Sequence, residues 1–415
     1  MSLEPLDRSL ASWLHEQTAT PAYLDEVLER TRQKRQRPAW SIPERWIPMQ
    51  LTMRPAIVPR QLVYVALLAL LIAAAAIAVV TIGAPRPAPP PFGLAGNGLV
   101  AFDRNGTIAL ARPDGTTLTD IVTTIEDARG PVFSPDGGRL AFYGTVDGSP
   151  TVIVSAADGR DPIPVSRRVV LDDVAMETAP SWSPDSRHLV FGGLVGEQRQ
   201  LFIAPIDGSG ARAVGDSELS RMDPMWSPDG DWIAFHGFRP DADAEAGQYR
   251  TSAGLYLIRP NGLEETMLVE GVGGDFIYRR PQWLPDPARA VLAYSVGEPS
   301  LYDIALFDVS SGKETVVSDH EAAELWPVWS PDGSSLAWAG SDRLIRFARA
   351  DGTNIWTVPD DVEYQFVWSP NGQYLLGLDA SGALIAARTD GSRERVEFSD
   401  GGASGSHWSW QRVAP

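Results

Sequence analysis

The sequence predicts an all-β fold assembled from a repeated unit of short strands. One observation is a recurring motif, an aromatic residue followed by Ser-Pro-Asp-Gly or a close variant, as at 329–333. Another is that each complete copy is followed by a short apolar strand, such as 336–339. Composition agrees, because 38 Gly, 34 Pro and 14 Trp in 415 residues are typical of many strands separated by turns. The aromatic anchors are Phe133, Trp182, Trp226, Trp283, Trp329, Trp368 and Trp408.

The chemistry of the motif predicts a turn. Proline presets φ for the second turn position, aspartate bonds nearby backbone groups, and glycine tolerates a left-handed exit. The aromatic ring before the turn supplies bulk between packed sheets. Later in each unit a hairpin dipeptide such as Asp158-Gly159 predicts a second turn. We therefore expect the motif's aspartates to support folding and not catalysis.

The spacing of the anchors predicts a β-propeller. Successive anchors lie 39 to 57 residues apart, in the range of four-stranded propeller blades. The repeat begins near Leu99 with strands but no anchor, and it ends at Trp408 with an anchor but no strands. Seven anchors and this split unit predict seven blades, with the last strand completing the first blade so that no sheet edge is exposed. A ring of six blades is the alternative.

The N-terminal part predicts a membrane anchor. Residues 1–61 contain the periodicity of a short α-helical segment followed by a basic juxtamembrane stretch. Residues 62–84 contain 23 residues without a charge, enough for one transmembrane helix. The preceding bases place the N-terminus in the cytoplasm of a single-pass inner-membrane protein. Residues 85–97 form a Pro-rich linker, and 98–415 form the extracytoplasmic propeller.

Charge and cysteine content exclude several classes of function. The formal charge of −18 argues against nucleic-acid binding, which needs a clustered basic face. The absence of Cys excludes disulfides, thiolate zinc sites and cysteine nucleophiles. The acidic propeller favours a protein or a small-molecule ligand as its partner.

The repeat resembles the TolB-like, WD-type propeller family. Blades of that family contain Pro-x-Trp-Ser-Pro-Asp-Gly followed by an Ile/Leu-Ala-Phe strand, and the resemblance covers residues 98–415. Phe366 and Ser406 replace the leading proline in the last two units. Relatives implied by the resemblance are bacterial periplasmic translocation proteins and the propeller halves of peptidases, so it indicates fold better than function. The leading prolines are Pro131, Pro180, Pro224, Pro281 and Pro327.

Catalytic motifs are missing from the sequence. A peptidase of the α/β-hydrolase type needs Gly-x-Ser-x-Gly, and the nearest match is the irregular stretch 402–406. The five histidines are scattered without metal-ligand spacing, and no glycine loop for phosphate is present. We therefore expect a protein that is not an enzyme and that needs no cofactor.

The resemblance implies a binding face at one mouth of the central channel. In such propellers the segments that enter the inner strands lie at this mouth. A weak candidate for a calcium site lies in the long insertion after His236, at Asp241, Asp243 and Glu245, where oxygen ligands alternate. The residues predicted for the mouth are Arg129, Glu177, Asp223, Arg280, Glu324, Trp326, Tyr364 and His407.

The resulting functional prediction is a membrane-anchored propeller that binds a ligand or a protein. Relay of a signal to a cytoplasmic partner of residues 1–61 is the first elaboration. Two alternatives stay open: an envelope scaffold without a signalling role, and a hydrolase or lyase with its site at the mouth.

Overall fold

The structure, a computed structural model, describes residues 90–415 apart from short gaps at 117–118, 122–124, 174–175, 177, 216–218, 239–253, 271–279, 299–300, 319–321, 359–361, 393, 399–406 and 415. Within these residues it contains seven four-stranded antiparallel sheets. The prediction of a seven-bladed, all-β propeller is confirmed, and the six-bladed alternative is wrong.

The strands are listed here in chain order. They are β1 (Gly96–Arg104), β2 (Thr107–Ala111), β3 (Thr119–Ile121), β4 (Glu126–Phe133), β5 (Arg139–Val146), β6 (Ser149–Ala156), β7 (Ile163–Pro164), β8 (Ser181–Trp182), β9 (His188–Val195), β10 (Gln198–Pro205), β11 (Arg212–Val214), β12 (Ser220–Trp226), β13 (Ile233–Phe238), β14 (Gly254–Ile258), β15 (Thr266–Glu270), β16 (Gln282–Trp283), β17 (Val291–Glu298), β18 (Leu301–Asp308), β19 (Lys313–Val316), β20 (Glu324–Trp329), β21 (Ser335–Gly340), β22 (Ile345–Arg349), β23 (Trp356–Val358), β24 (Val362–Trp368), β25 (Tyr374–Asp379), β26 (Leu384–Arg388), β27 (Arg395–Glu397) and β28 (Trp408–Val413).

Each blade runs from an inner strand, which contains the aromatic anchor, to an outer edge strand. Blade one has the order β28-β1-β2-β3, and blades two to seven take four consecutive strands each, from β4–β7 to β24–β27. The last strand of the sequence therefore supplies the inner strand of the first blade, as predicted. This pairing closes the ring and leaves no inner edge unpaired.

The pairing of β28 with β1 shows that the predicted seventh anchor, Trp408, was assigned to the wrong residue. In other blades the anchor pairs with the first apolar residue of the second strand, as Trp226 does with Ile233. In blade one that partner is Val100, and it pairs with Trp410. Trp410 is therefore the seventh anchor, and Trp408 lies two residues before it.

Indole hydrogen bonds connect neighbouring blades. Trp329 donates its Nε1–H to the carbonyl of Gln282 over 3.2 Å, in the inner strand of the preceding blade. Trp368 makes the same bond to Val328, also over 3.2 Å. Since both rings are mostly buried between sheets, each anchor combines apolar packing with a polar bond that fixes its orientation. These two bonds link blades five, six and seven in series.

The Ser-Pro-Asp-Gly motif forms the predicted turn. Ser330 donates its hydroxyl to Asp332 over 2.7 Å and accepts the N–H of Ser335 over 3.0 Å. Burial would raise the pKa of Asp332, but hydrogen bonds from Ser330 and Ser334 outweigh it and hold the pKa below its ordinary value. Gly333 adopts a φ of 67°, which explains glycine at the turn exit. The motif is a folding device.

Four of the inner strands, β4, β12, β20 and β24, are bulged before their anchors. The register of β12 shifts between Met222 and Met225, and that of β20 shifts between Leu325 and Val328. In each bulge the residue before the proline, Asp223 or Trp326, has a φ of 54°. Because bulges bend a strand and redirect its side chains, these positions turn toward the axis of the ring.

Residues 90–95, which we call the strap, lie against the turn end of the propeller. Gly93 donates its N–H to the carbonyl of Pro331 over 3.0 Å, and Ala95 donates to Pro370 over 2.9 Å. Arg412 donates to the carbonyl oxygens of Pro90 and Gly93, over 3.1 and 2.7 Å. The described part of the predicted linker therefore contacts the propeller, and β1 begins at Gly96.

The predicted membrane anchor cannot be compared with the structure. Residues 1–61 and 62–84 lie outside the described residues. Among the residues that are described, no helix has the length and apolar character needed to span a bilayer.

We expect Trp329→Phe to lower the free energy of unfolding by about 1 to 2 kcal/mol, because the carbonyl of Gln282 loses its donor in a buried interface. Trp329→Ala should cost about 3 to 5 kcal/mol, since it also leaves a cavity between blades. Urea unfolding of both variants measures the difference. A Trp329→Phe variant as stable as the wild type would show that the indole bond contributes nothing.

Candidate functional site

A cavity of about 370 Å³ lies on the axis of the ring. Its wall includes residues from the inner strand, or from the segment entering it, of all seven blades, such as Val132, Ala179, Met225 and Phe366. The bulged segments before the anchors therefore converge here. We call this space the mouth cavity.

Three residues predicted for the mouth line this cavity: Arg280, Trp326 and His407. They come from blades five, six and one and are brought together only by closure of the ring. Gln282 and Gln365 add neutral polar groups to the same wall. The entry segments that contain Arg280, Trp326 and His407 therefore meet at one cavity.

Two other predicted residues are buried in ion-pair contacts. Asp223 has its Oδ2 3.4 Å from Nδ1 of His236, and both side chains are almost fully buried. Glu324 is fully buried with Oε1 3.2 Å from Nε of Arg346, which also pairs with Asp342. A buried carboxylate needs such a partner, because an isolated buried charge is costly. These pairs support the wall.

The remaining predicted residues lie on the rim or outside the described part. Arg129 is partly exposed, with Asp173 at 3.7 Å and the sulfur of Met176 at 3.5 Å. Tyr364 belongs to β24, but its side chain is not described. Glu177, Asp241, Asp243 and Glu245 lie outside the described residues. Among the side chains that are described, no group of three His, Asp or Glu is placed to hold a metal ion.

Arg280 brings a positive charge to the cavity wall. One of its terminal nitrogens donates to the carbonyl of Pro224 over 2.8 Å. Its Nε is buried and has no hydrogen-bond partner among the described residues. Burial lowers the pKa of Arg280, and the nearby charge of Asp223 opposes this effect. A guanidinium stays protonated under such conditions, so Arg280 places a positive charge in the cavity wall.

Asp103, which the sequence analysis did not select, lies beside His407. It is only 5% exposed. Its Oδ1 accepts the N–H of Gly130 over 2.8 Å, and its Oδ2 lies 3.9 Å from Nδ1 of His407. Burial raises the pKa of Asp103 to about 7, although the Gly130 bond and the charge of Arg129 act in the opposite direction. Near neutral pH this carboxyl can hold or release a proton, as acid–base catalysis requires.

Asp103 was missed because the prediction followed only the segments entering the inner strands. It ends the apolar run Val100-Ala101-Phe102, three residues beyond the partner of the anchor. The same position is occupied by Tyr143, His236 and Ser295 in blades two, four and five. All four side chains are polar and buried. A polar residue at the end of an otherwise apolar second strand is the signal that could have found them.

Tyr143 links blade two to the part of the cavity wall that comes from blade three. Its hydroxyl donates to the carbonyl of Thr178, a cavity-wall residue, over 3.1 Å. Burial raises the pKa of Tyr143 strongly, and the nearby charges of Arg280, Asp223 and Arg129 also act on it. The hydroxyl therefore stays protonated and serves as a donor.

The fold and the site define a class: a closed seven-bladed propeller with Trp-Ser-Pro-Asp-Gly turns and a polar cavity on its axis. The sequence model of the family described as "TolB beta propeller domain" matches residues 114–254. This part of the chain therefore contains a TolB-like β-propeller repeat.

Two curated proteins are similar to part of the chain. The "uncharacterized peptidase YuxL" of Bacillus subtilis is 23% identical over 231 residues, which cover 54% of this chain and 31% of that protein. The "uncharacterized protein Atu1656" of Agrobacterium fabrum is 29% identical over 107 residues, which cover 26% of this chain and 36% of that protein. The chain thus spans about a third of the length of these relatives.

Solved structures with a similar fold include two enzymes. A puromycin-hydrolyzing peptidase of Mycobacterium tuberculosis has a TM-score of 0.54 and 13% identity, with 75% of this chain and 54% of that chain covered. An oligogalacturonate lyase in complex with manganese has a TM-score of 0.52 and 16% identity, with 74% and 85% covered. At such identities the likeness shows the fold alone.

The comparisons overturn the prediction that the chain is not an enzyme. Proteins similar to it bear the names of a peptidase, a hydrolase and a lyase. The prediction rested on missing linear motifs. Asp103 and His407 are far apart in sequence and meet only in the closed ring, so no motif search could find them.

We expect Asp103→Asn to stabilise the protein in a pH-dependent way. A raised pKa means that the folded state keeps a proton that the unfolded chain has already released. Between pH 3.8 and about 7, the free energy of unfolding of the wild type therefore falls relative to that of the variant, and the gap is constant above this window. Urea unfolding at several pH values measures the gap. A gap that does not change with pH would show that burial does not raise the pKa of Asp103.

Proposed function

We propose that the mouth cavity binds an anionic substrate and carries out a lyase or hydrolase reaction. The observation that supports this most is the arrangement around the cavity: Arg280 and His407 line it, and the buried carboxyl of Asp103 lies 3.9 Å from the imidazole of His407. The similarity in fold to an oligogalacturonate lyase, of whose chain 85% is covered, is consistent with it.

A lyase reaction on a carboxylated saccharide suits these residues best. Arg280 would bind the substrate carboxylate and make the adjacent C–H more acidic by stabilising the developing negative charge. The imidazole of His407 would remove that proton. The electron pair forms a C=C bond, the C–O bond at the β-carbon breaks, and the leaving oxygen takes a proton from the neutral carboxyl of Asp103.

The manganese named for the similar lyase has no matching donor set here. The described side chains include no group of three metal-ligating residues. The steps above therefore rest on the chain's own residues.

Binding without turnover is the second candidate. It is favoured by the fact that Asp223 and Glu324, two of the predicted mouth residues, are already committed to His236 and Arg346. The protein would then be a ligand- or protein-binding propeller. Relay of a signal to a partner of residues 1–61 is a further step of this candidate.

We expect the full chain to cleave oligogalacturonate, which is followed by the ultraviolet absorbance of the unsaturated product. His407→Gln and Asp103→Asn should each lower kcat about 100-fold or more, because each removes a proton-transfer group. Arg280→Gln should lower kcat/KM about 10- to 100-fold through loss of a charged hydrogen bond. Puromycin hydrolysis, assayed with the same variants, is the test for a hydrolase.

The exposed Arg160, which pairs with Asp158 in the β6–β7 hairpin, supplies the control. Arg160→Gln should leave both activities unchanged. Binding of oligogalacturonate without product would support the second candidate. Turnover that survives all three cavity variants would contradict a catalytic role for the mouth cavity.

Membrane anchoring through residues 62–84 is also a proposal, supported by their uncharged length and the preceding bases. We expect the full chain to sediment with membranes and to be released by detergent but not by high salt. Deletion of 62–84 should make it soluble. Release of the intact chain by salt alone would contradict a spanning helix.

A further inference from the structure

A second polar groove lies at the opposite end of the propeller from the mouth. It has a volume of about 640 Å³ and is formed by blade six and the turn of blade five. The groove contains Ser334, which follows the anchor Trp329, whereas Trp326 of the mouth cavity precedes that anchor. The two sites are therefore at opposite ends of β20. The residues that matter for its chemistry are Arg289, Arg349, Asp351, Asn354 and Trp356.

The groove contains two arginines without ionic partners. Arg289 and Arg349 are exposed, and neither makes an ion pair or a side-chain hydrogen bond with the described residues. Another exposed hairpin neutralises its arginine, since Arg388 pairs with both Asp390 and Glu394, at 2.9 and 3.2 Å. The two groove arginines therefore create a local positive charge on a protein of net charge −18.

The acidic residue of the groove is already engaged. Asp351 accepts hydrogen bonds from the N–H and the hydroxyl of Thr353, over 3.0 and 2.6 Å. These bonds, with a smaller contribution from the charge of Arg349, lower the pKa of Asp351. The carboxylate thus reduces the positive charge of the groove without holding either arginine in a salt bridge. Two guanidinium groups remain available to an anion.

Trp356 gives the groove an aromatic platform. Its ring stacks on Phe347 with centroids 5.5 Å apart and an interplanar angle of 13°. The residue is 37% exposed, whereas the anchors Trp182, Trp283, Trp329 and Trp410 are only 6 to 7% exposed. Stacking on Phe347 fixes the orientation of the indole, and its exposed part can pack against an apolar ring face. Asn354 adds an amide donor and acceptor on the same wall.

We propose that this groove binds an acidic sugar, with its anionic group between Arg289 and Arg349 and its ring against Trp356. Guanidinium groups recognise carboxylate and phosphate alike through paired N–H donors. The chemistry common to both is a ring bearing one such group. The proposal is independent of the reaction at the mouth cavity, because it uses the opposite end of the propeller and different residues.

The test is ligand-observed saturation-transfer NMR on the full chain with three probes: glucuronate, glucose 6-phosphate and glucose. We expect signals from one or both acidic sugars and none from glucose, and we expect them to weaken as salt is raised. Glucuronate alone would assign a carboxylate ligand, and glucose 6-phosphate alone a phosphate ligand. Equal signals from glucose, or none from any probe, would overturn the proposal.

Variants locate the binding. The double substitution of Arg289→Gln and Arg349→Gln should reduce the affinity for the acidic sugar at least tenfold, and Trp356→Ala should reduce transfer to its ring protons. Arg160→Gln, another exposed arginine, should change neither quantity. Because Arg280 is itself proposed to bind an anionic sugar in the mouth cavity, the groove variants are compared in an Arg280→Gln background. Binding in this background that persists in the double groove variant would contradict the groove as the site.

Discussion

The pairing of β28 with β1 is the interaction on which the rest of the molecule depends. It joins residues more than 300 positions apart, as in the bond from the indole of Trp410 to the carbonyl of Gly98. It completes the first blade, and it gives Phe133 of blade two a hydrogen-bond acceptor in Ser409, over 3.0 Å. Asp103 lies on β1, and His407 immediately precedes β28. Closure of the ring therefore also assembles the acid–base pair of the candidate site.

The two ends of each inner strand have different roles. Beyond the anchor, Ser-Pro-Asp-Gly satisfies its own polar groups within a few residues, so this end is a self-contained turn. Before the anchor, the chain bends, and polar groups there pair with neighbouring strands or line the cavity. Asp223 and Glu324 pair with His236 and Arg346 of their own blades, whereas Arg280 lines the cavity and bonds the carbonyl of Pro224 in the preceding blade. The residues after the anchor thus stabilise the turn, whereas the residues before it contribute to the candidate site.

The sequence was sufficient to predict the blades because their signals are local. The turn around Ser330 is fixed by residues at most five positions apart, and the anchor spacing reports the blade count. The mouth was predictable in part, since Arg280, Trp326 and His407 belong to entry segments. Asp103 could not be predicted, because its position beside His407 depends on the register in which β28, from the other end of the sequence, pairs with β1. The same register explains why Trp408 was wrongly predicted as an anchor. A serine follows Trp408, as it follows most anchors, but it is Trp410 that pairs with Val100.

The contacts of the strap determine where a force on the preceding chain would act first. Tension applied to the chain ahead of residue 90 first meets hydrogen bonds to Pro331 and Pro370 and the grip of Arg412. These contacts belong to blades six and seven and to the closing strand, so the force is shared among three inner strands. A pulling force from this side would therefore load the strap contacts before it reached the β1–β28 ladder and the residues Asp103 and His407.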